Sequence, residues 1–319
     1  MGTYLGFAPG NSFKAFKLST SIMTIKNFFI KKIVRLLLVC LSMLTISLQA
    51  QRINKKLQKD VEVLLHGHHG QAGVYIYDLK KNKTVAINAD TVFSTASIVK
   101  IPILLGVMDK LNKGELEYHQ ELVYKDSLLY AGVDILGSFK NNEKIELSKV
   151  LMLMLTTSDN TASLWLQSLA GGGTRINQIM DSLGYSNTRV NSRTPGREAI
   201  RTRYGWGQTT PHEIAGILQR IAAGQLLGYK TDAVMLKLLS RNYWDEEGLS
   251  QIPAGVFVAS KNGAVDASRS EVMYVKGNGR EYVLCIATQN NTDTSWTSEN
   301  EAWQMTRKIS ALVYEKLGH

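Results

Sequence analysis

Ser97-Ile98-Val99-Lys100, followed by Ile101-Pro102-Ile103-Leu104-Leu105-Gly106-Val107-Met108, is the stretch on which the reading of this chain turns. The second run is apolar throughout and predicts a buried helix. The first places a hydroxyl and an amine three residues apart, on one face of a helical turn, so that Lys100 can reach the Ser97 oxygen. A neutral serine is a poor nucleophile and needs a partner to take its proton. Ser97 would stand at the N-terminus of the apolar helix, where free N–H groups and the helix dipole favour negative charge. No other Ser-x-x-Lys occurs in the 319 residues.

On the N-terminal side of this helix, residues 52–66 have helical spacing. Gly73 to Asp78 and Thr84 to Asn88 alternate in the β manner across Lys80-Lys81-Asn82-Lys83, which predicts a hairpin. On its C-terminal side, residues 126–253 read as helices and loops without a strand pair. Helices are expected at about 146–155, at 161–170 (stopped by Gly171-Gly172-Gly173) and at 175–183. Another opens at Thr210-Pro211-His212-Glu213, which combines a cap, a first-turn proline and a glutamate three after the cap. Strand patterns return at 255–261, 271–276 and 281–288, with Gly277-Asn278-Gly279 between the last two, and an amphipathic helix fills about 299–317.

The chain therefore leaves a sheet and returns to it. The expected fold is α+β: a mostly antiparallel five-stranded sheet flanked by terminal helices, with an inserted all-helical lobe. The sheet lobe takes about 51–125 and 254–319, the helical lobe about 126–253, and a cleft between lobes is the natural place for a site.

Residues 1–50 read as a leader and secretory signal peptide. Lys31, Lys32 and Arg35 precede the apolar run Leu36 to Leu48, which ends at Gln49-Ala50-Gln51. The run is short for a membrane span. Val39, before Cys40, is bulkier than a lipid-anchoring signal accepts. Six of the 37 Lys/Arg and none of the 27 Asp/Glu lie in this segment, so the formal charge falls from +10 to +4 without it. That removes the case for a nucleic-acid partner. Cys285 is then the one cysteine left, too few for an intrachain disulfide, and the product is expected to be a periplasmic monomer held together by its core, free of the membrane.

Two further short motifs follow Ser97. Ser158-Asp159-Asn160 lies at a helix junction 61 residues on, and Lys261-Asn262-Gly263 ends the first returning strand 103 residues later. With Phe93-Ser94 before the nucleophile, Lys-Ile-Pro-Ile-Leu after Val99 and Thr161-Ala162 after Asn160, the chain over roughly 52–319 resembles the penicillin-recognising serine hydrolases. It is most similar to their class A β-lactamase branch. Single motifs recur by chance: Ser298-Glu299-Asn300 and Lys316-Leu317-Gly318 also match, the former as a helix cap with Glu301. The ordered, spaced set does not.

The resemblance implies an acyl-enzyme on Ser97 of a β-lactam or cell-wall peptide, without metal or organic cofactor. Lys100 would accept the Ser97 proton and Ser158 relay one to the leaving nitrogen. Asn160 would hold the substrate amide, and Lys261 and Asn262 its carboxylate. The N–H groups of Ser97 and of Ala264, just after Gly263, would form the oxyanion hole, and Gly263 would leave room along the strand edge. Arg269 is a candidate second carboxylate contact or a solvated strand-end charge.

Two departures bear on release of the acyl group. The family's Glu-x-x-Leu-Asn loop, whose glutamate activates water, has no match in Thr188 to Glu198. Glu198 is the one acid there, a candidate base or an ion-pair partner of Arg193, Arg197 or Arg201. Asn262 replaces the usual threonine or serine. β-Lactam hydrolysis therefore stands beside a D-Ala-D-Ala peptidase or esterase and a stably acylated sensor. His66-Gly67-His68-His69 is a candidate metal-binding group, but it ends a helix, is expected to lack nearby acids and belongs to no recognisable site. Trp206 is expected to pack or to edge the cleft.

Overall fold

The computed structural model describes residues 52–318 apart from 131 and 133, together with 1–3, 6, 31–33 and 35. The signal-peptide reading therefore lies almost wholly outside the described residues, and Cys40 entirely so. Arg52–His319 forms a compact unit of its own. No helix among the described residues is long and apolar enough to cross a membrane.

Apolar alternation builds the sheet. β2 (Gln71–Asp78) and β3 (Lys83–Ile87) form the expected antiparallel hairpin. β9 (Phe257–Val265), β10 (Ser268–Gly277) and β11 (Arg280–Gln289) form the returning meander. β11 then pairs with β2, Cys285 opposite Tyr75. A two-residue strand, β1 (Arg52–Ile53), adds parallel to β3, so the sheet has six strands in the order β1-β3-β2-β11-β10-β9. β9 is its edge and runs on through Lys261, Gly263 and Ala264 to Val265, further than the sequence pattern alone marks.

The sheet separates two cores. One face, with Val74, Ile76, Met273, Val275, Leu284 and Ile286, packs on α1 (Lys55–Leu65) and the C-terminal helix through Val61, Ile309 and Val313. The other face, with Tyr75, Val272, Tyr274, Val283 and Cys285, meets the helices of the middle of the chain. Through these runs α2 (Lys100–Asn112), whose first nine residues are all buried. Each fully buried branched side chain contributes about 1.5–3 kcal/mol, so α2 anchors the Ser97 turn in the core.

Against α2 pack α3 (Leu147–Thr156), α4 (Asn160–Leu169) and α5 (Gly172–Ser182); α6 (Glu198–Tyr204) meets the strand that follows it, α7 (Pro211–Ala222) covers the sheet, α8 (Tyr229–Leu239) also packs on α2, and α9 (Glu301–Lys316) follows the last strand. The middle of the chain is not free of strands. β5 (Glu121–Val123) pairs with β6 (Lys144–Glu146), and β7 (Arg189–Val190) and β8 (Gly207–Thr209) join β4 (Phe93–Ser94) in a small sheet. Two or three residues are too short for alternation to register, and α6, about two turns long, is equally hard to see.

Three local expectations are corrected. Gly172 and Gly173 open α5 instead of merely stopping α4. A side chain at 173 would put its Cβ 1.8 Å from Thr194 Oγ1, so the glycine admits the 188–198 loop. α9 is capped by Asn300, whose Oδ1 accepts from Ala302 N at 3.1 Å, and not by Ser298. Thr210 caps α7 as expected, with its hydroxyl accepting from Glu213 N at 3.1 Å. Glu213 does not close a capping box: its carboxylate collects the N–H groups of Ser186, Asn187 and Thr188 and so fixes the start of the same loop.

Candidate active site

Thr95 leaves β4 and the chain turns at Ala96 with φ +44°, a left-handed conformation that costs a non-glycine residue energy and persists where the surroundings hold it. A 3₁₀ turn, Ala96–Val99, then feeds α2. Ser97 is half-buried, while Ile98, Val99 and Lys100 are buried. The second left-handed residue of the site is Ser158, φ +62°, in the link between α3 and α4.

These turns bring the first two motifs together on one amine. Lys100 Nζ lies 3.1 Å from Ser97 Oγ, 2.6 Å from the Ser158 carbonyl, 2.9 Å from Ser158 Oγ and 2.9 Å from Asn160 Oδ1. The carbonyl and the amide oxygen can only accept, and they match the two N–H bonds of a neutral amine. The remaining lone pair faces the hydroxyls. Lys100 is fully buried. Burial first, then the neighbouring Lys261 charge, holds its pKa well below the usual lysine range, against a smaller opposite pull from Asp134 and Asp159. An amine so placed can take the Ser97 proton.

Two carboxylates hold the Ser158 link. Asp159 caps α4, accepting from Ala162 N at 2.7 Å and from Leu136 N at 2.9 Å. Asp134 accepts from Asn160 N at 2.8 Å and from Thr161 Oγ1 at 3.0 Å. Asp134 escapes sequence reading because it stands in an irregular segment, 26 residues from the backbone it supports, with no motif around it.

β9 supplies the third motif. A Cβ at Gly263 would sit 2.6 Å from Ser97 N and 2.7 Å from Thr95 O, so only glycine lets the strand lie against the nucleophile's turn. Ala264 follows directly. Lys261 is fully buried, and burial brings its pKa down to about 7, with Glu271 pulling upward. Its Nζ donates to Asn262 O at 2.9 Å and Asn262 Oδ1 at 3.3 Å. Asn262 Nδ2 in turn donates to Trp244 O at 3.2 Å.

Arg269 does not join this group. It pairs with Ala264 in the β9–β10 ladder, on the sheet face that carries Glu271, Met273 and Val275, away from α2. It is no solvated charge either. Its fully buried guanidinium donates to the carbonyls of Val265, Asp266, Ser268 and Ser295 and lies 4.8 Å from the Trp296 ring centre. Strand parity decides this, because one residue's shift would reverse the face.

Glu198 is exposed at the start of α6, with its carboxylate accepting from Gly196 N at 3.1 Å. None of its described hydrogen bonds or ion pairs reaches Ser97, Lys100 or Ser158, nor Arg193, Arg197 or Arg201. The loop before it is firmly held. Gln167 and Ser192 exchange two hydrogen bonds, Nε2 to the Ser192 carbonyl at 2.5 Å and Ser192 Oγ to Oε1 at 2.7 Å. Asn177 brackets Val190 in the same way, and Arg197 Nε donates to Asn191 Oδ1 at 2.6 Å. Trp206 packs edge-on against Tyr130, ring centres 5.0 Å apart.

His68 and His69 do have an acid nearby in space: Glu301 lies 3.5 Å from His68 Nδ1 and 2.9 Å from His69 Nδ1. No cluster among the described residues is suited to a metal ion.

A sequence profile of the β-lactamase enzyme family matches residues 55–317. The β-lactamase VEB-1 of Pseudomonas aeruginosa is 24% identical over 281 residues, 84% of this chain and 94% of that one. Among solved structures, PBP-A superposes with a TM-score of 0.75 at 24% identity, covering 85% of this chain and 98% of its own. A variant of PBP-A, solved as an acyl-enzyme complex with penicillin G, superposes with a TM-score of 0.74 at 23% identity, covering 84% and 98%.

Proposed function

The chain belongs to the β-lactamase enzyme family, and from that premise we propose that it is an exported serine hydrolase that opens β-lactam rings through an acyl-enzyme on Ser97. The observation that carries the reading is Lys100 Nζ, buried, deprived of its usual basicity and 3.1 Å from Ser97 Oγ. Lys100 takes the hydroxyl proton as Ser97 Oγ bonds to the ring carbonyl. The carbonyl C–N bond breaks, and Ser158, 2.9 Å from the same amine, passes a proton to the nitrogen. The oxyanion rests on the N–H groups of Ser97 and Ala264, the substrate amide on Asn160, and its carboxylate on Lys261 and Asn262. Oxyanion donors of this kind are worth about 3–4 kcal/mol of barrier each. Neither metal nor organic cofactor takes part, and the enzyme acts as a monomer in the periplasm.

A second reading draws on Glu198. An exposed carboxylate bonded to its own turn is poorly placed to activate water at Ser97. This favours slow release of the acyl group, as in a D-Ala-D-Ala peptidase acting on cell-wall peptide or a stably acylated sensor.

Following the mass of residues 51–319 mixed with a penicillin separates the readings. An adduct on Ser97 that appears and decays with continuing product formation supports the hydrolase. A persistent adduct supports the second reading. No adduct on folded protein overturns Ser97 as nucleophile.

A further inference from the structure

Residues 242–244, between α8 and β9, are laced to both sides of the site at its Lys261 end. Toward α3, Tyr243 N donates to the Thr156 carbonyl at 2.9 Å, and Trp244 Nε1 donates to the Thr157 carbonyl at 2.9 Å, one residue before Ser158. Toward β9, Asn242 Nδ2 donates to Ser260 Oγ at 3.2 Å, and the Trp244 carbonyl accepts from Asn262 Nδ2 at 3.2 Å. Trp244 N closes the segment on itself through Asn242 Oδ1 at 3.3 Å. The Tyr243 and Trp244 rings meet edge-on, 5.1 Å apart, and both are exposed, at 65% and 38%.

Such placement is not that of core packing. The indole spends its one N–H on a backbone carbonyl beside the Ser158 turn, packs edge-on against Tyr243 and leaves 38% of the residue exposed to solvent. A depression of about 520 Å³ beside the segment is lined by Phe257, Val258 and Ser260 of β9 and by Arg241, Asn242 and Asp245. The cleft edge of β9 and this depression share one strand, and the strap is bonded to that strand between them, at Ser260 and Asn262.

We propose that the 242–244 strap, and Trp244 above all, closes the leaving-group end of the cleft and limits how far a substrate can extend beyond the bond that Ser97 attacks. The inference rests on the proposed function, in which the carboxylate lies at Lys261 and the acyl carbonyl at Ala264, three residues along β9. A leaving group that ends in a carboxylate stops at Lys261 and Asn262. One that continues meets the Trp244 ring before it can reach the depression. Among the substrates of the proposed function, the strap thus admits leaving parts that terminate directly after the scissile bond and excludes longer ones.

The test uses two thioesters with one acyl part, the first with mercaptoacetate as leaving group and the second with mercaptoacetyl-glycylglycine. In each, Ser97 Oγ bonds to the carbonyl, the C–S bond breaks, and the thiol departs with the proton that Ser97 gave up. Thiol release is the readout, and labelled penicillin on Ser97 reports folding and the reading beneath. The full-length mature protein is expected to release the short thiol at least tenfold faster than the long one, and Trp244→Gly to bring that ratio within threefold of unity. Equal rates in the unaltered protein overturn the proposal, even if Trp244→Gly does not fold. So does an unchanged ratio in a Trp244→Gly protein that still binds penicillin, or failure of both thioesters while penicillin still labels Ser97. Failure of penicillin and both thioesters to acylate folded protein overturns the proposed function, and the strap's role falls with it.

Discussion

Lys100 and Glu198 are the two groups from which proton chemistry at Ser97 is expected, and they differ sharply in burial. Lys100 is fully buried, has four oxygens within 3.1 Å and opens a helix whose first nine residues are all buried. Glu198 is exposed on a helix of seven residues and bonded to a neighbour two positions away. In the proposed reaction, attack by Ser97 is thus built into the core. Activation of water on the loop has no comparable construction, although the loop itself is well anchored.

Four substitutions test that contrast. Ser97→Ala should abolish penicillin adducts altogether, read by intact-protein mass. Lys100→Met keeps the volume and removes the base, so acylation should fall about 10²- to 10⁴-fold in stopped-flow labelling, with the fold intact by circular dichroism. The unaltered protein should also lose acylation rate toward acid pH as the Lys100 amine takes up a proton.

Gly173→Ala attacks the loop's footing, because the new methyl overlaps Thr194. It should cost about 1–3 kcal/mol of stability, read by urea unfolding, and should slow acylation less than Lys100→Met. The smallest effect is expected from Glu198→Gln, with decay of the adduct changed less than twofold. A tenfold slowing there would return Glu198 to the role of base and dissolve the contrast.

The reverse face of β10 offers a pH test of the frame behind the site. Glu271 is buried, and burial pushes its carboxyl up to about 7, although Gly248 N at 2.7 Å and Leu249 N at 3.3 Å favour the charged form. A carboxyl raised from about 4.5 stabilises the fold fully below pH 4.5 and loses that contribution as pH rises through 7. Glu271→Gln should flatten this decline, roughly 3 kcal/mol in size, in melting temperatures measured from pH 4.5 to 8. Lys261, lowered to about 7, acts above that window: its contribution grows from pH 7 toward 10.5.

Much of the site was legible beforehand because its members sit on long, regular elements. Ser97 and Lys100 precede an apolar helix, Lys261 and Gly263 lie on an alternating strand, and Asn160 opens a helix. Arg269 was misread because eight residues of separation across a hairpin leave the strand face undetermined. Asp134 and Trp244 were missed because irregular segments carry no period, and their partners are 26 and 87 residues away.

The sequence by itself singled out the residues that meet at the candidate site and the antiparallel sheet with helices on both faces. Apolar periodicity and three ordered motifs are local properties that need no third dimension. Only the tertiary structure decided that Lys100 is stripped of water, that Arg269 turns away, that Glu198 faces solvent and that Trp244 spans the cleft's end. Burial and distance arise when segments far apart in the chain meet, and those two quantities set a lysine's basicity and a loop's reach.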